Sequence, residues 1–186
     1  PYQLTWMGSF VLTFGDRFFL QQSHSLAEVG IYGFAYQFGF ILFQLGFLPF
    51  ATAWNPLRFE MAKLPRDERD ARYSRGFYFC NLVLVTTAVG IVLYIRPVLW
   101  VMTTPEFFPA ARLVPLIAFA YVMQGWKDVV KFGIDVSEQT RWFTTATWIA
   151  VAAIVVLYVL LIPRWGAFGA AWATLIAFAL HTAVTW

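Results

Sequence analysis

The sequence predicts an all-α polytopic membrane protein with six transmembrane helices. Three observations carry that prediction. Of 186 residues, 60% are hydrophobic and 12% charged, whereas an average soluble domain is about 25% charged. A soluble domain of this length has more surface to cover with polar groups than this chain could supply. Apolar runs long enough to span a bilayer follow one another, separated by short polar connections. Between the second and third runs lies a polar island, Trp54–Arg75. It holds Arg58, Lys63, Arg66, Arg69, Arg72 and Arg75, six of the thirteen Lys and Arg, with Glu60, Asp67, Glu68 and Asp70 among them.

A helix needs about 20 residues, at about 1.5 Å each, to cross a hydrocarbon core of about 30 Å. The first run spans about Leu4 to Leu20 and is followed by the turn QQSHSLAEVG. The second covers Gly30 to Ala53 and leads into the basic loop. The third starts near Tyr73 and is expected to end at Arg96-Pro97, where proline cannot donate a backbone hydrogen bond. Thr103-Thr104-Pro105-Glu106 reads as a helix start, with a hydroxyl cap, a first-turn proline and an acid near the positive end of the dipole. The fourth helix therefore begins between Glu106 and Leu113, kinks at Pro115 and reaches about Gly133. The fifth takes Trp142 to Ile162. A tight turn, Pro163-Arg164-Trp165-Gly166, precedes the sixth, which starts at Ala167. Strands are not expected: open sheets cannot span lipid, and no ten-residue alternating segments occur.

Orientation follows Lys and Arg rather than net charge, which puts the 54–75 loop in the cytoplasm. The inner connections then hold six cations plus Arg141, with Lys131 nearby. The outer ones hold Arg96, Arg112 and Arg164, with Arg17 near the outer end of the first helix. The net charge of +3 comes largely from the one loop. It implies an adjacent anionic leaflet rather than nucleic acid. A single cysteine, Cys80, excludes an internal disulfide and a multi-cysteine zinc site, and its apolar surroundings suggest inert packing. The chain opens on Pro1, with no signal-peptide pattern ahead of its first apolar run. It reads as an internal piece of a longer membrane protein.

Charges at the bilayer centre cost about 2.5–3.5 kcal/mol on insertion scales, so the polar minority points to cavities or partners. In the first helix Thr5, Ser9, Thr13 and Asp16 share roughly 80° of arc. Arg17 lies on the stripe's edge, and neighbours at i,i+1 are expected to need separate partners. Arg17 could attract an anionic head group; it could equally join a structural ion pair or snorkel to the interface. A second stripe in the fourth helix holds Tyr121, Gln124, Asp128 and Lys131, with Lys127 beside it. There an Asp128–Lys131 pair is expected at i,i+3. Lys127 and Asp128 lie deeper than Lys131, which can snorkel to head groups. Gln37 and Gln44 share one face of the second helix, Gly39 and Gly46 another, and Thr174 and His181 pair similarly in the last. Hydrogen bonding between helices or close packing is the plainer reading of each. His24 is expected to be simply solvated. The cavity candidates are thus Asp16, Arg17, Gln37, Gln124, Lys127, Asp128 and Lys131.

No constellation supports catalysis. A nucleophile elbow, an HExxH helix and a GxxxxGK[ST] loop are all missing from the sequence, and neither a metal site nor a cofactor is expected. The alternating signs of Arg66-Asp67-Glu68-Arg69-Asp70 fit a solvated helix extension.

Two stretches nevertheless resemble a known family. Gly15-Asp16-Arg17-Phe18-Phe19-Leu20, followed by Leu26-Ala27-Glu28-Val29-Gly30-Ile31-Tyr32 and Ala35-Tyr36, resembles the start of the C-terminal half of polysaccharide exporters. These are the O-antigen (Wzx-like) flippases of the multidrug/oligosaccharidyl-lipid/polysaccharide superfamily. Ile162-Pro163-Arg164-Trp165-Gly166-Ala167-Phe168-Gly169-Ala170-Ala171-Trp172-Ala173-Thr174 resembles the hairpin near the end of the same half. The resemblance covers nearly the whole chain, and its motifs are fairly specific together though each is weak alone. It implies a MATE-like fold of two six-helix lobes around a cavity, with residues 1–186 forming one lobe. It further implies flipping of a polyprenyl-pyrophosphate-linked oligosaccharide across the bacterial cytoplasmic membrane, in partnership with the other half and with membrane lipids. Arg17 is the cation that falls inside a matching motif; Lys127, Asp128 and Lys131 fall where the family's pattern varies. Gly30-x-x-Gly33 and Gly166-x-x-Gly169, each followed by a small-aromatic pair, predict two tight outer corners.

Three other readings remain. A cation-coupled drug exporter on the same fold would use Asp16 or Asp128 as its ion or proton site. A membrane enzyme of glycan assembly would need a sizeable outer loop with catalytic residues, which the connections lack. A scaffold subunit would have no transport path.

Overall fold

A computed structural model describes residues 2–61, 63–136 and 140–185. The side chains of Thr5, Arg58 and Arg141, used above in the stripe and the charge count, lie outside those described. All regular structure among the described residues is helical. Helix α1 is Tyr2–Ser23, α2 Leu26–Leu42, α3 Leu48–Met61, α4 Arg66–Met102, α5 Val114–Val136 and α6 Thr140–Thr185. Three stretches are long and apolar enough to cross a membrane: Leu26–Met61, Arg66–Met102 and Trp142–Thr185. A fourth is the bent pair Pro105–Arg112 and Val114–Lys131, if it counts as one span.

Side-chain packing fixes the direction of each limb. Gly8 lies against Thr147 and Val151, Gly15 against Tyr158, and His24 against Ile162, so α1 runs parallel to the first limb of α6. Thr147 meets His181, so the second limb of α6 folds back on the first. That limb runs parallel to α5, where Tyr121 meets Phe178 and the Met123 carbonyl accepts from Thr182. Phe34 packs on Phe107, Gly39 on Ile117 and Phe47 against Gly125, which sets α2 parallel to α5. Helix α4 runs against both, pairing Phe79 with Phe50, Tyr73 with Trp54, and Asn81 with Trp126. The chain therefore reverses between successive limbs, α2 and α3 together forming one. The core between the limbs is apolar, with Leu20, Leu42, Leu84, Leu99, Ile117, Ile154 and Ile162 almost wholly shielded.

Several boundaries differ from expectation. The island 54–75 is not an irregular loop: α3 runs to Met61, a short turn follows, and α4 starts at Arg66. Asp67 and Glu68 sit in the first turn of α4, favourable to the dipole there, and Arg72 bonds Glu68 one turn on, at 2.7 Å. The predicted helix extension is real and takes most of the island. Pro97 does not stop α4, which continues to Met102. One missing donor is tolerated inside an apolar helix. The stop comes at Thr103, whose extended backbone (φ −137°) leaves the helix while its hydroxyl donates to the Leu99 carbonyl at 2.8 Å.

Thr104 gives no side-chain cap to the next element, which is a 3₁₀ helix over Pro105–Arg112. The following bend measures 49° and falls at Leu113, ahead of Pro115. Pro115 occupies the first turn of α5, where its absent N–H has no carbonyl to miss. A π turn, Phe43–Phe47, joins α2 to α3 just ahead of Pro49. The wider turn relieves the clash of the proline ring with the preceding turn.

The last helix breaks at Gly166, whose φ of 55° and ψ of −134° only glycine adopts easily. This is the predicted second corner. Gly169 faces the Leu161 carbonyl so closely that a Cβ would collide with it. At the first corner the expectation fails: a Cβ on Gly30 would meet nothing within 4 Å, and Gly33 approaches only the Arg17 side chain.

Candidate functional site

The polar side chains within the limbs gather into two clusters, one toward each end. The first is built on α1, α2 and α6. Asp16 is completely buried. The Tyr32 hydroxyl donates to its Oδ2 at 2.6 Å, and the Arg17 backbone N–H donates to Oδ1 at 2.7 Å. Thr174 of α6 lies 3.4 Å from the Tyr32 oxygen. A carboxylate carried into an apolar bundle is thus held from two elements, α1 and α2, with Thr174 of α6 behind the tyrosine, as a buried charge must be held to persist. Among the described residues, the hydroxyls of Tyr36 and Tyr158, both buried, have no hydrogen-bond partner.

Arg17 meets its neighbour after all: Nη1 lies 3.8 Å from Asp16 Oδ1, at the limit of an ion pair. The long arginine stem curls back, so sequence adjacency does not forbid contact. Each residue also has its own partners, as expected. The guanidinium sits 4.9 Å from the Tyr36 ring centre and 5.4 Å from that of Phe14, and Nη1 donates to the Thr13 carbonyl at 3.3 Å. Its side chain is 30% exposed. Stacked on two rings with donors to spare, it is a cation held in place and still open to an anion. Thr13, by contrast, spends its hydroxyl on the Ser9 carbonyl at 2.9 Å.

The second cluster joins α5 to both limbs of α6. Lys127 is 8% exposed and pairs with Asp128 at 3.2 Å. The expected Asp128–Lys131 pair does not form; Lys131 instead places its ammonium 4.8 Å from the centre of the Phe143 ring. A ring on the next helix outcompetes a carboxylate on its own. His181, 2% exposed, lies 3.3 Å from the Thr147 hydroxyl and stacks near Phe143. That is the structural role expected of a lone histidine. Gln124 is half-buried on the same helix.

Gln37 and Gln44 are both exposed, so the expected interhelical bonding does not occur. Gln37 borders an apolar cavity of about 470 Å³ between α2 and α4. Asp16 and Arg17 therefore form one site; Lys127, Asp128 and Lys131 form another; Gln37 belongs to neither.

Tyr32 escaped the sequence reading because its partner lies on another helix, although it stands inside a matching motif; Thr174, read as bonding between helices, does reach one, at Tyr32. His24 and Glu28 were missed too. His24 Nε2 lies 2.9 Å from the Ile162 carbonyl, Glu28 Oε1 accepts from Ala167 N–H at 2.7 Å, and His24 Nδ1 is 3.2 Å from Glu28 Oε2. The pair clasps both helix ends that Gly166 leaves open. Among the described residues, no group of three or more His, Cys, Asp or Glu could hold a metal ion. Compared with known families, characterised proteins and solved structures, the chain gives no match.

Proposed function

We propose that the chain is one lobe of a membrane transporter, crossing the bilayer six times, that flips a polyprenyl-pyrophosphate-linked oligosaccharide from the cytoplasmic leaflet. The observation that carries the reading is Arg17. It is a cation inside an apolar limb, fixed by two aromatic faces and half-neutralised by a buried carboxylate, with donors left for an anion. A pyrophosphate passing along this face would meet a planar fork suited to two of its oxygens. The family resemblance of the surrounding GDRFFL segment supports the same substrate. A second lobe would complete the path, and rocking of one against the other would alternate access.

Lys127 fits a different role. Packed beneath Phe143 and paired with Asp128, it ties the bundle together. In the full protein Arg17→Ala should abolish most surface polysaccharide while leaving membrane protein levels unchanged. Lys127→Ala should lower the level of folded protein, because it removes a buried side chain and leaves the half-buried Asp128 carboxylate without its partner. Normal surface polysaccharide in the Arg17 variant would overturn the assignment.

A second reading has one observation in its favour. Asp16 is a fully buried carboxylate with the buried hydroxyls of Tyr32, Tyr36 and Tyr158 in the same bundle, two of them unpartnered. Such a group could carry a proton or small cation in a cation-coupled exporter. Uptake into vesicles with and without a proton or sodium gradient separates the two, since the gradient-driven exporter would also export substrates that are not lipid-linked.

A further inference from the structure

The corner between α3 and α4 holds a cavity of about 480 Å³ that the transport reading does not use. Its size is within the range of about 300–1,000 Å³ usual for small-ligand sites. Trp54 and Met61 form a buried floor against Gly76, where the indole edge presses so closely that no side chain could stand. Leu57 and Leu64 continue the apolar wall. The rim is charged: Glu60 on α3, Arg72 and Arg75 on α4.

Those charges are not equivalent. Arg72 is already bound to Glu68 at 2.7 Å, and outside the cavity Arg69 is bound to Asp70 at 3.1 Å. Arg75 and Glu60 have no ion-pair partner among the described residues. Among the described residues the rim therefore presents one unpaired cation and one unpaired anion above an apolar floor. The Trp54 indole N–H is buried and also lacks an acceptor among the described residues.

We propose that this corner is a binding site for a zwitterionic phospholipid whose head group carries a phosphate diester and a primary ammonium. Arg75 takes the phosphate and Glu60 takes the ammonium. The start of the hydrocarbon lies on Leu57, Met61 and Leu64. An anionic lipid would satisfy Arg75 but would set its net charge against Glu60. A soluble zwitterion would leave the apolar floor uncovered. The site lies at the end of two apolar limbs long enough to cross a membrane. The inference rests on the chain spanning a membrane, and on nothing about what the lobe transports.

The test is native mass spectrometry of the full chain in delipidated detergent micelles. It is titrated with phosphatidylethanolamine, phosphatidylglycerol or water-soluble glycerophosphoethanolamine. The ethanolamine lipid should bind at least about tenfold more tightly than the glycerol lipid. Arg75→Gln and Glu60→Gln should each weaken it by about tenfold, as expected for loss of one charge-assisted contact. Arg69→Gln, away from the cavity, should leave it unchanged. Glu60→Lys should reverse the preference toward phosphatidylglycerol, a gain that a misfolded protein could not produce. Equal or tighter binding of phosphatidylglycerol by the unaltered chain would overturn the proposal. So would an indifferent Glu60→Gln variant. Binding of glycerophosphoethanolamine as tightly as the lipid would overturn the lipid assignment in favour of a soluble zwitterion.

Discussion

Asp16 is fully shielded, and two of its three hydrogen-bonding or ionic contacts come from the residue beside it. The third, from Tyr32, brings the second element to the carboxylate at 2.6 Å. Tyr32→Phe keeps the ring's packing and deletes that donor. A hydrogen bond to a charged group is worth about 1.5–3 kcal/mol, and the variant should lose about that much stability, read as a lower unfolding midpoint in mild detergent. If Asp16→Asn is made alone and then with Tyr32→Phe, the second change should cost much less, because the charge that made the contact strong is gone. Additive losses would mean that the hydroxyl serves something other than the carboxylate. At this scale the sequence located the charges but not their partners. The stripe of Ser9, Thr13 and Asp16 is a property of one helix, and periodicity exposes it. Tyr32 and Thr174 are 16 and 142 residues from the groups they reach, so no spacing rule could join them. The Lys127–Asp128 pair shows the opposite failure, where a same-helix rule favoured Lys131 and a ring on α6 won.

The corner of α6 carries a different lesson, one about whole elements. Composition and the Pro163–Gly166 turn predicted two helices, and the structure has two limbs meeting at Gly166. What spacing could not supply is the clasp from the α1–α2 turn and α2. The break strands the Ala167 N–H and the Ile162 carbonyl, and Glu28 and His24 satisfy them across the corner. Glu28 stands in Ser25-Leu26-Ala27-Glu28, a pattern that normally turns the acid back onto its own helix start. Ser25 does accept from the Glu28 N–H, at 3.3 Å, while the carboxylate is sent elsewhere. Glu28→Ala should therefore destabilise the corner by about 0.5–2 kcal/mol, the usual worth of an N-terminal cap. Gly166→Ala should cost about 1–3 kcal/mol, since it forces a side chain into a sparsely allowed conformation and drives its Cβ into Glu28. Thermal unfolding of both variants and of the double would check this. The double should fall short of the sum, because once the carboxylate is gone the new Cβ has less to strike. The boundary errors at Pro97 and Pro115 share a cause. Proline was treated as a stop at Pro97 and as a kink at Pro115, while an apolar surround tolerates one missing hydrogen bond and a helix start needs none.

Taken as a whole, the molecule alternates direction through its limbs, and this makes its placement in a membrane testable from two points. The α3–α4 corner lies at the same end as the α5–α6 connection, because α2 and α5 run parallel. The Gly166 corner lies at the opposite end, beside the α1–α2 turn. The first end gathers Lys63, Arg66, Arg69, Arg72 and Arg75, while Arg164 stands at the second. Five basic residues against one at these two corners would hold the first in the cytoplasm. Cysteine at Glu68, with Cys80 replaced by Ala, should resist a membrane-impermeant maleimide in intact cells and react once the membrane is opened. Cysteine at Arg164 should react in both states. Both positions are exposed, so burial cannot imitate protection. The reverse pattern would invert the molecule. Arg17 would then lie near the leaflet where its proposed substrate is made rather than near the one where it is delivered. Reaction of both positions in intact cells would remove the bilayer from between them, and with it the reason for reading the long apolar limbs as crossings.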